Sequence, residues 1–197
     1  TEQIAAMKAV GDQISADEER LRVVEDDLNQ LIMMVPNLPH ETTPVGRDES
    51  ANVQVREWGT KPKFGFTPQA HWDLGAKLGM FDLERGAKIS GSGFILYTNA
   101  GALLERALIS FFLDIHVTRH GYSEVFPPFM VNTQTMTGTG QLPKMAEDMY
   151  QLNDQTMWLV PTAEVPVTNI YANEILAPAD VPKYMVAYTP CFRREAG

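Results

Sequence analysis

Apolar residues recur at a 3,4 spacing through the start of the chain, at Met7, Val10, Ile14, Leu21, Val24, Leu28, Leu31 and Val35, with Asp17 alone breaking the stripe. The pattern predicts a helix carrying a coiled-coil seam. At about 1.5 Å of rise per residue such a helix is roughly 50 Å long, too long to lie buried on one small domain. Its stripe therefore calls for a second helix. No later segment sustains a heptad, so the partner is expected from another chain or from sequence preceding Thr1. Val35-Pro36-Asn37-Leu38-Pro39 ends the helix, because proline disfavours helical geometry in the residue before it and lacks an N–H of its own. A linker rich in Pro, Thr, Gly and Asp follows, over 36–50.

The remainder, 51–197, mixes periods. Val53, Val55 and Trp58 suggest a short strand or extended piece, Trp72 to Phe81 a short helix, and Phe94 to Tyr97 a buried strand between glycine-bearing turns. Ala102 to His120 predicts the main globular helix, with Leu104, Leu108, Phe111, Phe112 and Ile115 on its apolar face and Gly121 at its end. Tyr122 to Val131 is strand-like, but Pro127 and Pro128 predict an edge or a bulge. Met157 to Val160 and Lys183 to Phe192 are further strand candidates, with a helix over Val165 to Ile175 between them. This order predicts an α+β fold in which helices flank a mostly antiparallel sheet. There is no internal repeat.

Composition narrows the class. The chain has 197 residues, 44% hydrophobic and 21% charged, in the range of an ordinary globular protein. Sixteen Lys and Arg against 25 Asp and Glu give a formal charge of −9, which argues against coating nucleic acid by bulk electrostatics while leaving room for a local basic site. Much of the acidity is local: residues 1–35 hold Lys8, Arg20 and Arg22 against Glu2, Asp12, Asp17, Glu18, Glu19, Glu25, Asp26 and Asp27. The single cysteine, Cys191, excludes an internal disulfide and a multi-cysteine zinc site. No apolar run reaches the roughly 18 residues of a membrane span, and a soluble, cytoplasmic protein is expected.

Several motifs fail as chemistry. Gly91-Ser92-Gly93 lacks the third glycine of a dinucleotide fingerprint, since position 96 is Leu. Thr137 to Lys144 has glycines and a lysine without phosphate-loop spacing; taken alone it is a glycine-rich turn sooner than a mobile loop over a pocket. His116 and His120 are four apart on a helix but lack a third ligand. Cys191, in an apolar strand with no base beside it, is expected to be a buried structural thiol.

Two constellations carry more. In extended geometry Thr162 and Glu164 share a face about 7 Å apart and could hold an ammonium group and a polar substituent, although on spacing alone a helix N-cap is the simpler reading. Arg193 and Glu195 likewise share a strand face. An arginine there can grip a phosphate through charge-assisted bonds, while the plain alternative is a surface ion pair.

In order along the chain, these pieces resemble the seryl-tRNA synthetases, a class II aminoacyl-tRNA synthetase family. Val35 to His40 resembles the exit from that family's helical arm, and Pro44 to Ser50 its linker into the catalytic domain. Arg106 through Gly121, with Tyr122, Val125 and Pro128, matches the first class II motif. Thr137 to Lys144 and Thr162-Ala163-Glu164 resemble stretches of the seryl branch, and Phe192-Arg193-Arg194-Glu195 matches the second class II motif. The joint match overturns the plain readings of both constellations.

The resemblance implies serine activation by ATP to seryl-adenylate, then transfer of the seryl group to serine tRNA. Thr162, Ala163 and Glu164 would line the serine pocket. Arg193 would bridge the α-phosphate and the serine carboxylate as the catalytic residue, with Arg194 and Glu195 helping to bind ATP. Mg²⁺ is expected with ATP, and no metal ligand is assigned within the chain. The implied organisation is 1–35 as the second helix of a tRNA-binding coiled-coil arm, 36–50 as linker and 51–197 as the first part of the catalytic domain, in a homodimer formed through the first motif. The first arm helix and the region after the second motif are expected to lie outside this stretch, leaving it inactive alone. The rivals are a synthetase paralogue that no longer charges tRNA, such as an amino-acid:carrier-protein ligase, and an interaction module built on the coiled coil. The arm helix disfavours the carrier-protein ligase; Thr162, Glu164, Arg193 and Glu195 disfavour a non-catalytic homologue.

Overall fold

A computed structural model describes residues 2–153 and 156–194. The seam is found on one uninterrupted helix, α1 (Glu2–Met34), none of whose residues is buried. Its apolar stripe lies open, with Val10, Ile14, Leu21, Val24 and Leu28 each more than half exposed. Residues 36–70 continue as an exposed chain, broken by one short 3-10 turn at Glu49–Ala51 that the Asp48 carboxylate caps through the Ser50 N–H. Val53, Val55 and Trp58 lie in this extended stretch and form no strand.

The folded part begins with α2 (His71–Lys77) and β1 (Phe81–Asp82), so the helix expected over Trp72 to Phe81 stops early and its last residue starts a strand. α3 (Leu83–Ser90) follows, started by Asp82, whose carboxylate accepts from the Arg85 N–H at 2.8 Å. β2 (Leu96–Tyr97) pairs antiparallel with β1. The expected buried strand is thus short and partly open: Phe94 and Ile95 are about half exposed. α4 (Asn99–His120) is the predicted main helix, and Gly121 ends it in the left-handed region at φ 71°. Near its start α4 runs close against the backbone of Met80; a Cβ on Gly101 would sit 1.9 Å from the Met80 carbonyl oxygen. Its apolar face was expected to be core. Instead Leu104, Leu108, Phe111 and Phe112 remain 40–55% exposed, because little of the described chain packs across them.

The prolines divide the run from Tyr122 to Val131 into two strands of different sheets. β3 (Ser123–Glu124) pairs parallel with the late strand β6 (Met185–Val186), whereas β4 (Met130–Asn132) pairs antiparallel with β5 (Met157–Leu159), Val131 opposite Trp158. The observed content is α+β, with two antiparallel pairs and one parallel pair among the described residues. Between β4 and β5 lies α5 (Thr133–Gly138), capped by the Asn132 side chain, which accepts from the Thr135 N–H at 2.8 Å. After β5 comes α6 (Glu164–Thr168), continued by a 3-10 turn over Asn169–Tyr171 and thus shorter than the helix expected to Ile175.

The core sits here. Val131, Met136, Leu142, Met149, Trp158, Val160 and Val165 form one buried cluster, joined by Phe129, Ala146 and Phe192. The indole N–H of Trp158 donates to the Thr133 hydroxyl at 3.0 Å, so the largest of these side chains is buried with its polar atom satisfied. Backbone bonds widen the sheet beyond the strand pairs: Val160 N–H donates to Phe129 O, and Phe192 N–H to Val160 O, each at 2.9 Å. That last bond brings the chain's final segment beside the turn where α6 starts.

Candidate active site

The turn that follows β5 is fixed from below. Val160 and Pro161 are fully buried, as is Val165, the second residue of α6, so the backbone between them has little freedom. This anchoring presents Thr162, Ala163 and Glu164 to a cavity of about 450 Å³. The opposite wall is the segment from Met185 to Thr189 together with Cys191.

Thr162 and Glu164 are not held apart on an extended strand. The chain has already entered helical geometry at Ala163 (φ −64°, ψ −27°), which folds Glu164 back so that its carboxylate accepts directly from the Thr162 hydroxyl. Thr162 is no side-chain N-cap either; its backbone carbonyl accepts from the Val165 N–H at 3.3 Å while its hydroxyl is committed to Glu164. The Thr162 hydroxyl, then the Glu164 backbone N–H, hold the Glu164 carboxyl below the usual carboxylate range against an opposing effect of burial, with a lesser lowering from the Arg193 guanidinium. The site therefore offers a fixed negative charge at neutral pH.

Arg193 arrives from the last described segment. Its Nε–H donates to the Pro161 carbonyl at 3.0 Å, which ties the guanidinium to the same turn that carries Thr162 and Glu164. Arg194 takes another direction, its guanidinium lying over the Tyr150 ring at 5.1 Å and its backbone N–H donating to Asp148 O at 2.8 Å. Glu195, and with it the face it was expected to share with Arg193, lies outside the described residues. The structure thus brings Thr162, Ala163, Glu164 and Arg193 together and turns Arg194 towards Tyr150.

Cys191 departs from expectation. It is exposed and lines the cavity, with its thiol near the Thr189 carbonyl at 3.8 Å, instead of being a buried structural thiol. Thr189, buried in the same wall, escaped the sequence reading. Its signal was the strand period, since Thr189, Cys191 and Arg193 are spaced by two. His116 and His120 face each other, Nδ1 to Nδ1 3.1 Å, and among the described residues no group of three metal-ligating side chains occurs. Thr137 and Gly138 end α5, and the turn favoured from the sequence is found only over Thr139 to Lys144, packed down by buried Leu142.

No family model matches the chain. The serine–tRNA ligase of Trichlorobacter lovleyi is 56% identical over 196 residues, all of this chain and 46% of that protein. That of Geobacter sulfurreducens is 54% identical over the same shares. A crystal structure of seryl-tRNA synthetase from Pyrococcus horikoshii complexed with ATP superposes with a TM-score of 0.85 at 32% identity, over 97% of this chain and 47% of that one. Over nearly its whole length the chain is similar to seryl-tRNA synthetases. The chain spans about half the length of the curated relatives it matches. A cytoplasmic serine–tRNA ligase from Naegleria fowleri in complex with AMP, with a TM-score of 0.76 at 23% identity, shares the fold. Among the described residues no helix is long and apolar enough to cross a membrane.

Proposed function

We propose that this chain supplies the serine-recognising part of a serine–tRNA ligase, which joins serine to ATP as seryl-adenylate and passes the seryl group to serine tRNA. The observation that carries this reading is the ionised Glu164, bonded to Thr162 and facing a cavity, with Arg193 tied to the same turn. Glu164 holds the serine ammonium group, and Thr162 and the Ala163 backbone complete the pocket. A site that hydrogen-bonds the serine hydroxyl rejects alanine, because its own polar groups would be left unpaired. Arg193 steadies charge where the serine carboxylate oxygen attacks the α-phosphorus, the new P–O bond forming as the bond to pyrophosphate breaks. Its contribution is positioning and electrostatic stabilisation, with no covalent step through a side chain. Arg194 and Glu195 help to place ATP.

Mg²⁺ fits this reading as an escort of the ATP phosphates. The described residues offer no cluster of three acidic or histidine side chains to cage it, and a hard cation of this kind is commonly held by substrate phosphates and water. It supplies neutralisation of phosphate charge. In the same reading 1–35 is the second helix of an antiparallel coiled-coil arm that meets tRNA, 36–50 is linker, and 51–197 is the first part of a class II catalytic domain that dimerises around α4. The exposed seam of α1 and the open apolar face of α4 support surfaces made to be covered. The setting is the cytoplasm.

The test is a hybrid in which this chain replaces the matching segment of the Trichlorobacter lovleyi ligase. Serine-dependent ATP–pyrophosphate exchange is expected in the hybrid and not in the isolated 197-residue chain. A folded, dimeric hybrid without serine-dependent exchange would overturn the reading.

A further inference from the structure

α1 lacks the feature that usually steadies a helix end: its last turn contains no basic residue, although its free carbonyls carry partial negative charge there. The missing cation comes from 109 residues further along the chain. The Lys144 ammonium group donates to the carbonyl of Val35, just past the end of α1, at 3.1 Å. Among the described residues α1 buries no side chain, so this contact is not one of many that could fix its direction.

The backbone that carries Lys144 is anchored, while its side chain is exposed. The neighbouring Leu142 is buried in the core, and the Met145 N–H donates to the Gln141 carbonyl at 2.9 Å. One turn further on, the Asp148 N–H donates to Met145 O at 3.0 Å, and the Asp148 carbonyl accepts the Arg194 N–H at 2.8 Å. Arg193, next in the chain, is held to Pro161 beside the Thr162–Glu164 pair. The segment 142–148 therefore bonds to the exit of the long helix through Lys144 and to the arginine-bearing segment through Asp148.

We propose that Lys144 is a positioning residue that locks the direction of α1 to the segment holding Arg194, so that the long helix and the candidate site move as one body. Any ligand that pulls on the long helix is then felt at the arginines, and a ligand gripped by the arginines stiffens the helix in return. The consequence for tRNA charging rests on the proposed function. The lock itself does not, and its test uses neither serine nor tRNA, so the two can fail separately.

The test uses the 197-residue chain with Cys191→Ser and spin labels at Ser15→Cys on α1 and Glu174→Cys on the globular part. Pulsed electron–electron distances are compared for the parent, Lys144→Met and Lys144→Arg. In the same three proteins hydrogen exchange is followed at the Arg194 amide. The lock predicts that Lys144→Met broadens the distance distribution about twofold or more and speeds exchange at Arg194 several-fold, while circular dichroism stays that of the parent. Lys144→Arg, which keeps a cationic donor, should retain parental behaviour in both. An unchanged distance distribution in Lys144→Met, unchanged exchange at Arg194, or an arginine variant that behaves like methionine would each overturn the proposal.

Discussion

The molecule contains two apolar regions with opposite fates. α1 has leucine, isoleucine, valine and methionine at regular intervals and buries none of them; the cluster around Trp158 is no richer in such residues and is almost closed to water. The difference is geometric. Residues 129–165 fold back on themselves through β4, α5, β5 and α6, so each apolar side chain meets others from a different element. A single straight helix cannot cover its own stripe. Apolar content therefore marks a surface that needs covering, and topology decides whether the same chain provides the cover.

The comparison is broken most severely from the buried side. Trp158→Ala removes the largest core side chain together with its indole bond to the Thr133 hydroxyl; it is expected to cost about 3–5 kcal/mol in urea unfolding. A loss below about 1 kcal/mol would mean that the cluster is not the centre of the fold. Gly121→Ala forces a side chain into the left-handed conformation that ends α4, and should cost about 1–2 kcal/mol by the same measurement. Leu21→Ala, in the open seam of α1, should change the stability of the globular part by no more than about 0.5 kcal/mol. A loss of about 2–5 kcal/mol there would show that the seam is already covered in solution, as a buried leucine would be.

Both regions were legible in the sequence to different depths. The heptad stripe was strong enough to give α1 nearly residue by residue, because a long helix needs only local information. The strands were harder: pairing joins residues as far apart as Ser123 and Met185, and each strand is only two or three residues long. The two prolines after Val125 signalled a break, but not that the flanking strands enter different sheets. At the site, the residue types of Thr162, Glu164 and Arg193 were visible, whereas their contact was not. It depends on the chain entering helical geometry at Ala163, between the fully buried Pro161 and Val165. Cys191 was misjudged because an apolar neighbourhood in sequence became one wall of a cavity in space.

The smallest effect concerns charge. Because the folded-state pKa of Glu164 is lowered, its contribution to stability is present above the ordinary carboxylate pKa and is lost as pH falls through the lowered value. Thr162→Val removes the first cause of that lowering. Carbon-13 NMR titration of the Glu164 carboxyl should show its midpoint moving up towards the ordinary range in this variant; an unmoved midpoint would show that the hydroxyl does not hold the charge.

The central claim is that Glu164 recognises serine, and steady-state exchange kinetics of the hybrid ligase test it most directly. Replacing the carboxylate by an amide in Glu164→Gln removes a charge-assisted bond to the ammonium group, worth about 1.5–3 kcal/mol, or roughly 10–150-fold. The account predicts a rise of that size in the KM for serine with the KM for ATP unchanged. An unaltered serine KM, or equal rises for serine and ATP, would contradict it.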